Sequence, residues 1–128
     1  MGEKKHIRAD FVPGHYQFTT DKGSSFVIGP ESAPYDYLLG ALSGCLFKTF
    51  EEVADKMRFS WEHISFEVNG EKREETPTTL KEVHITVQAT GVDNQQKFQK
   101  AFDAATRYCS LYQTISKVSE MSWTISFQ

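Results

Sequence analysis

Residues 33–57, APYDYLLGALSGCLFKTFEEVADKM, decide how the rest of the chain is read. Leu38, Leu39, Leu42, Cys45, Leu46, Thr49, Val53 and Met57 recur at helical steps, as along one side of a helix. Ser32 or Ala33 can cap it, Pro34 suits its first turn, and Asp36 puts negative charge where the helix dipole favours it. A helix over about 34–58 is expected. Ala41, Ser43 and Gly44 keep part of its surface small enough for another backbone to approach. Gly40 and Gly44 weaken it by about 1 kcal/mol each relative to Ala. Dense packing on more than one side is the expected compensation.

On the N-terminal side of that helix the pattern is β. HIRADFV, HYQFTT and SSFVI are separated by Pro13-Gly14 and by Asp21-Lys22-Gly23, both turn punctuation. Ile7, Ala9 and Phe11 alternate with Arg8 and Asp10, and Tyr16 and Phe18 continue the alternation. On the C-terminal side, Ile64, Phe66 and Val68 in SWEHISFEV alternate with polar residues. So do Val83, Ile85, Val87 and Ala89 in LKEVHITVQA. The polar loop from Gly70 to Pro77 joins these two as an antiparallel pair with one wet face. A helix from about 93 turns Phe98, Phe102 and Ala105 inward, and Leu111, Ile115 and Val118 lie on a continued or restarted turn. MSWTISF closes the chain as a strand with Met121, Trp123, Ile125 and Phe127 on one face. The expected fold is α+β, one domain over 1–128, with helices on one side of antiparallel sheet. Aromatic hairpins beside a small-residue helix further suggest that two copies share a core.

Composition narrows the function. The chain has 128 residues, 39% hydrophobic and 13% aromatic, including ten Phe, enough for a single globular core. A formal charge of −3 without basic blocks speaks against nucleic acid as a partner. MGEKKHIRAD lacks the apolar segment of a secretory signal, and His6 stands where a myristoylation signal has Ser or Thr. No apolar run approaches a membrane span, so a soluble cytoplasmic protein is expected. In a reducing cytosol a disulfide between the two cysteines would be transient and functional.

Cys45 and Cys109 are the residues on which function turns. Each read alone is a core filler, since free Cys is among the most buried residue types. Ser43 and Gly44 leave room beside Cys45, but a mid-helix thiol gains little from its own helix N-terminus and would need a nearby cation to ionise. If the helix breaks and restarts near Ser110, Cys109 sits at a helix N-terminus, where amides favour a thiolate. Core residues and a redox pair both remain open at this level. Other constellations are weaker. His6, His15, His63 and His84 lack metal-ligand spacing, although His63 and His84 fall on neighbouring strands. Ser43 is outside any nucleophile-elbow motif. Trp61 and Trp123 read as core or rim residues, and EEVAD at 51–55 as a solvated helix face.

The helix of residues 33–57 resembles the central helix of the OsmC/Ohr family: Pro, a polar or acidic residue, Leu-Leu, small residues, Cys. AFDAATRYCSLYQTISKVSEMSWTISF resembles that family's closing helix, second cysteine, short helix and last strand, and the likeness extends over the whole chain. The resemblance implies an intertwined homodimer with sites at the subunit interface, acting as a cysteine peroxidase on organic hydroperoxides. Cys45 would then be the peroxidatic thiolate and Cys109 the resolving thiol, with a dithiol reductant as partner and no metal, flavin or haem. The apolar surface around Leu42, Leu46 and Phe50 would suit an alkyl hydroperoxide. The chain departs from the hydroperoxide-reducing branch in three places. Tyr35 follows Pro34 where that branch has Glu; VPGHY carries His15 and no Arg; Ser110 replaces the proline common after the second cysteine. These departures leave an alternative expectation, a non-catalytic dimer binding a small apolar ligand at the interface.

Overall fold

The computed structural model describes residues 2–128. In chain order it has β1 (Ile7–Val12), β2 (His15–Thr20), β3 (Ser25–Ile28), α1 (Pro34–Met57), β4 (His63–Lys72), β5 (Leu80–Thr90), α2 (Gln95–Tyr108), α3 (Ser110–Ser116) and β6 (Glu120–Phe127). The chain divides into two compact units, one up to Leu38 and one from Leu39 to Gln128.

The first unit is the antiparallel meander β1-β2-β3 and the start of α1. Its register, with Phe11 opposite Tyr16, Ala9 opposite Phe18 and Phe18 opposite Phe26, collects every large apolar residue but Val12 and Val27 on one face. Phe18 and Phe26 stack with centroids 5.2 Å apart, and Phe11 meets Tyr16 edge-on. Gly14 and Gly23 take positive φ in the two turns, as the punctuation predicts. Tyr37 in the first turn of α1 donates to the Val27 carbonyl, and the Asp36 carboxylate accepts from the Ala33 N–H at 2.9 Å, half of a capping box. Phe11 nevertheless remains 64% exposed.

The second unit holds the core. β4 and β5 pair antiparallel, so that Ile64, Phe66 and Val68 stand opposite Ala89, Val87 and Ile85. β6 then pairs with β5 in parallel, which corrects the expectation of wholly antiparallel sheets. The reason is the connection: α2 and α3 form a helical crossover, and only a crossover of that kind lets consecutive strands of one sheet run the same way. The alternation within MSWTISF is identical for either direction.

The apolar face of β4-β5-β6 packs against α1 and α2 through aromatic rings. Phe50 of α1 lies 4.8 Å from Phe98, Phe102 lies 4.9 Å from Trp123, and Phe98 meets Phe127 edge-on at 5.3 Å. Trp61 packs on Phe50 at 5.6 Å, so both tryptophans border the core, as expected. The opposite face is polar: His84 sits between Ser122 and Thr124, within hydrogen-bond distance of both hydroxyls. His63 pairs with Thr90 and His84 with Asn69, so the two histidines are separated along the ladder. Among the described residues no cluster of His, Cys, Asp or Glu could hold a metal ion, and no helix is long and apolar enough to cross a membrane.

α1 ends where Arg58 adopts φ 58°, a left-handed stop that closes the last turn through its N–H to Ala54. Along the helix, a Cβ placed on Gly40 or Gly44 would meet nothing within 4 Å. The small-residue side is therefore open within the chain. Compensation for the glycines comes from the other side, where Leu42, Leu46, Phe50 and Ala54 are fully enclosed.

Candidate active site

α1 carries Cys45 half-buried, one residue before the enclosed Leu46. α2 approaches from the far end of the sequence. Asn94 caps it, accepting from the Lys97 N–H at 3.0 Å, and it runs to Tyr108. Cys109 then leaves helical geometry (φ −70°, ψ 117°) and α3 starts at Ser110. Cys109 serves both helices: its N–H closes α2 on the Ala105 carbonyl, and its sulfur accepts from the Tyr112 N–H as the cap of α3. The Gln113 amide spans the break to the Thr106 carbonyl at 2.9 Å, satisfying an oxygen that the interrupted helix leaves unpaired. The restart expected near Ser110 is thus present.

This break brings the two sulfurs together. Cys109 Sγ donates to Cys45 Sγ at 3.2 Å, and both cysteines are free thiols. Their environments push them in opposite directions. Burial works against ionising Cys45, but hydrogen bonds from the Leu111 N–H, the Cys109 thiol, and the Ser110 hydroxyl and N–H outweigh it and lower its pKa. Cys109 is fully enclosed; burial raises its pKa, and the Tyr112 N–H does not offset it. Cys45 therefore ionises more readily than Cys109, in keeping with its place as the acceptor of the bond between them.

Both sequence-level expectations about acidity are corrected here. The amides that begin α3 act on both sulfurs: burial outweighs them at Cys109, whereas at Cys45 they help to lower the pKa. Cys45 is favoured as thiolate by a neighbouring helix, and hydrogen-bond donors do what a cation was expected to do. Arg107 is engaged elsewhere, paired with Asp103 at 3.0 Å. Ser110 and Leu111 are the site residues that sequence reasoning missed, and only Ser110's replacement of a proline marked either one.

The apolar wall expected for a substrate is corrected too. Leu42 and Leu46 are 0% exposed and Phe50 1%, so they build the core and are closed to a ligand. Near Cys109 in the chain, Leu111 is half-buried and Tyr108 is 75% exposed. A concavity of about 600 Å³ between Glu71, Arg73, Glu75, Lys81 and Glu120 includes neither cysteine in its lining.

The family model described as OsmC-like protein matches residues 29–124, and the chain belongs to that family. A comparison with curated proteins finds no match. Among solved structures, the OsmC-like protein from Mycoplasma pneumoniae superposes with a TM-score of 0.86 at 14% identity, covering 99% of each chain. An organic hydroperoxide resistance protein from Elizabethkingia anophelis gives 0.78 at 16%, covering 100% of this chain and 99% of that one. The organic hydroperoxide resistance protein OhrB of Bacillus subtilis gives 0.68 at 17%, covering 97% and 98%. At such identities the likeness is one of fold.

Proposed function

We propose that the protein is a thiol peroxidase that reduces organic hydroperoxides through Cys45 and Cys109. The observation that carries this reading is the 3.2 Å sulfur pair with oppositely shifted acidities. The Cys45 thiolate attacks the terminal peroxide oxygen, the O–O bond breaks, and the alkoxide leaves as alcohol after taking a proton from water. Cys45 becomes a sulfenic acid. Cys109 attacks that sulfur; its proton leaves with the sulfenic hydroxyl as water, and a disulfide forms. A dithiol reductant returns both thiols by exchange. The preference for organic over hydrogen peroxide rests on family membership and on the printed names of the hydroperoxide resistance proteins of like fold.

The whole chain, 1–128, acts in this reading as one OsmC-like domain of a cytoplasmic homodimer. Support for the dimer comes from the apolar face of β1-β2-β3, where Ile7, Phe11 and Tyr16 are 46–64% exposed, and from the open Gly40–Gly44 side of α1.

The test is a thiol count on the reduced protein before and after one equivalent of cumene hydroperoxide. Rapid loss of both thiols, a trapped sulfenic acid in Cys109→Ser and an inert Cys45→Ser are expected. Two thiols unreacted after many minutes would overturn the reading and leave a dimer that binds a small apolar ligand.

A further inference from the structure

The sulfurs of Cys45 and Cys109 stand 3.2 Å apart as two free thiols. That separation selects among the thiophilic centres that a pair of sulfurs can hold. With bonds to sulfur of about 2.3 Å, a linear ion spreads its two sulfurs about 4.6 Å apart, a tetrahedral ion about 3.8 Å, and a pyramidal centre with near-right-angle bonds about 3.3 Å. Only the pyramidal centre matches the observed pair without moving either helix. The set of available donors agrees. Among the described residues no third His, Cys, Asp or Glu joins the two cysteines in a group that could hold a metal ion. A tetrahedral ion would keep two positions that the protein does not fill. Trivalent arsenic bearing one carbon substituent has two soft valences open, and two sulfurs complete it.

We infer that Cys45 and Cys109 form a two-point binding site for monosubstituted trivalent arsenicals, their sulfurs closing a ring through one arsenic atom. This rests on the sulfur pair itself and stands apart from the peroxidase reading. In water such an arsenical carries two hydroxyls on arsenic. Cys45 is half-buried and the more readily ionised thiol, so it bonds first. An As–S bond forms, one hydroxyl leaves, and the Cys45 proton goes with it as water. Cys109 is fully enclosed, but the arsenic now sits on the sulfur that its own thiol touches. The second As–S bond forms as the remaining hydroxyl leaves with the Cys109 proton as a second water. Arsenic stays trivalent and neither sulfur is oxidised, so no further reactant is needed. The fold holds both ends ready. The Cys109 N–H is tied to the Ala105 carbonyl at 2.8 Å, its sulfur accepts from the Tyr112 N–H at 3.5 Å, and Cys45 lies in mid-α1. Ring closure therefore costs little entropy, whereas an unfolded chain would have to bring together residues 64 positions apart.

The experiment titrates the full-length reduced protein with phenylarsine oxide and reads intact mass alongside a thiol count. One phenylarsenic per chain, with both thiols lost together, is expected. Excess glutathione, a monothiol, should leave that adduct in place, and dithiothreitol should remove it. Cys45→Ser and Cys109→Ser each offer a single sulfur and should bind at least about 100-fold more weakly, the usual gain from a tethered second contact. Serine can cap α3 as Cys109 does, and the stoichiometry of the wild type decides the matter even where a variant fails to fold. Two arsenicals per chain, one thiol lost per arsenical, arsenic bridging two chains, or a wild type no tighter than the single-thiol variants would each overturn the inference. If cumene hydroperoxide leaves both thiols intact while one arsenical still takes both, the peroxidase reading fails and the dithiol site stands. If the peroxide oxidises both thiols but the arsenical binds wild type no better than the variants, the dithiol site fails and the peroxidase reading stands.

Discussion

Cys109 donates its thiol hydrogen to Cys45 across 3.2 Å, although 64 residues separate them in the chain. The direction of that bond distinguishes the two thiols. The acceptor is ionised more readily than an ordinary cysteine and the donor less readily. Raising the pH from about 5 should therefore label Cys45 first, with Cys109 following only above the ordinary thiol range. Mass spectrometry of the labelled peptides checks the order; labelling of Cys109 first would contradict the assignment.

Core packing around the site predicts the cost of truncation. Phe50 is 1% exposed and meets Phe98, Phe102, Phe59 and Trp61. Phe50→Ala should destabilise the protein by about 3–5 kcal/mol, read from urea midpoints. A loss under about 1 kcal/mol would show that the aromatic cluster is loosely packed.

Gly91 ends β5 at φ 66°, and a Cβ there would fall 2.8 Å from Glu62 Cβ and 2.3 Å from its Cγ. The substitution Gly91→Ala combines a left-handed backbone with a clash at the root of a side chain. A loss of about 1–3 kcal/mol is expected in thermal or urea unfolding. An unchanged midpoint would mean that the turn rearranges freely.

Acid sensitivity follows from Asp93. Its carboxylate accepts from the Ser60 N–H at 3.0 Å and from the Ser60 hydroxyl at 3.2 Å, which holds its pKa below the ordinary 3.8. A lowered carboxylate pKa stabilises the fold above the unfolded value, and that contribution disappears as pH falls through the folded one. Asp93→Asn should thus be less stable than wild type at neutral pH, with the difference shrinking below pH 3.8. Urea midpoints at both ends of that range decide it; a constant difference would remove the carboxylate as its source.

Oligomeric state is tested at Phe11, which is 64% exposed on the apolar face of the N-terminal sheet. Phe11→Glu should leave the far-ultraviolet spectrum unchanged and shift the proposed dimer toward monomer in sedimentation. A dimer of wild-type strength would place the interface elsewhere.

Much of the fold was legible because its signals are local. The three- and four-residue recurrence through residues 38–57 defined α1, the two turns defined the N-terminal meander, and alternation defined β4, β5 and β6. Those patterns follow from backbone periods of 3.6 and 2, which every short segment carries in itself. The two cysteines were legible as a pair only through family resemblance, because no spacing code links thiols on separate elements.

What the sequence by itself determined was which segments are helix or strand and which face of each is apolar. Tertiary structure alone decided the rest: that β6 runs parallel to β5, that Leu42, Leu46 and Phe50 are core rather than substrate wall, and that donors at the start of α3 lower the pKa of a thiol on α1. These are relations between elements distant in the chain. A periodic pattern says which face of a segment is buried but not what buries it, and a thiol's acidity depends on donors that only packing brings within reach.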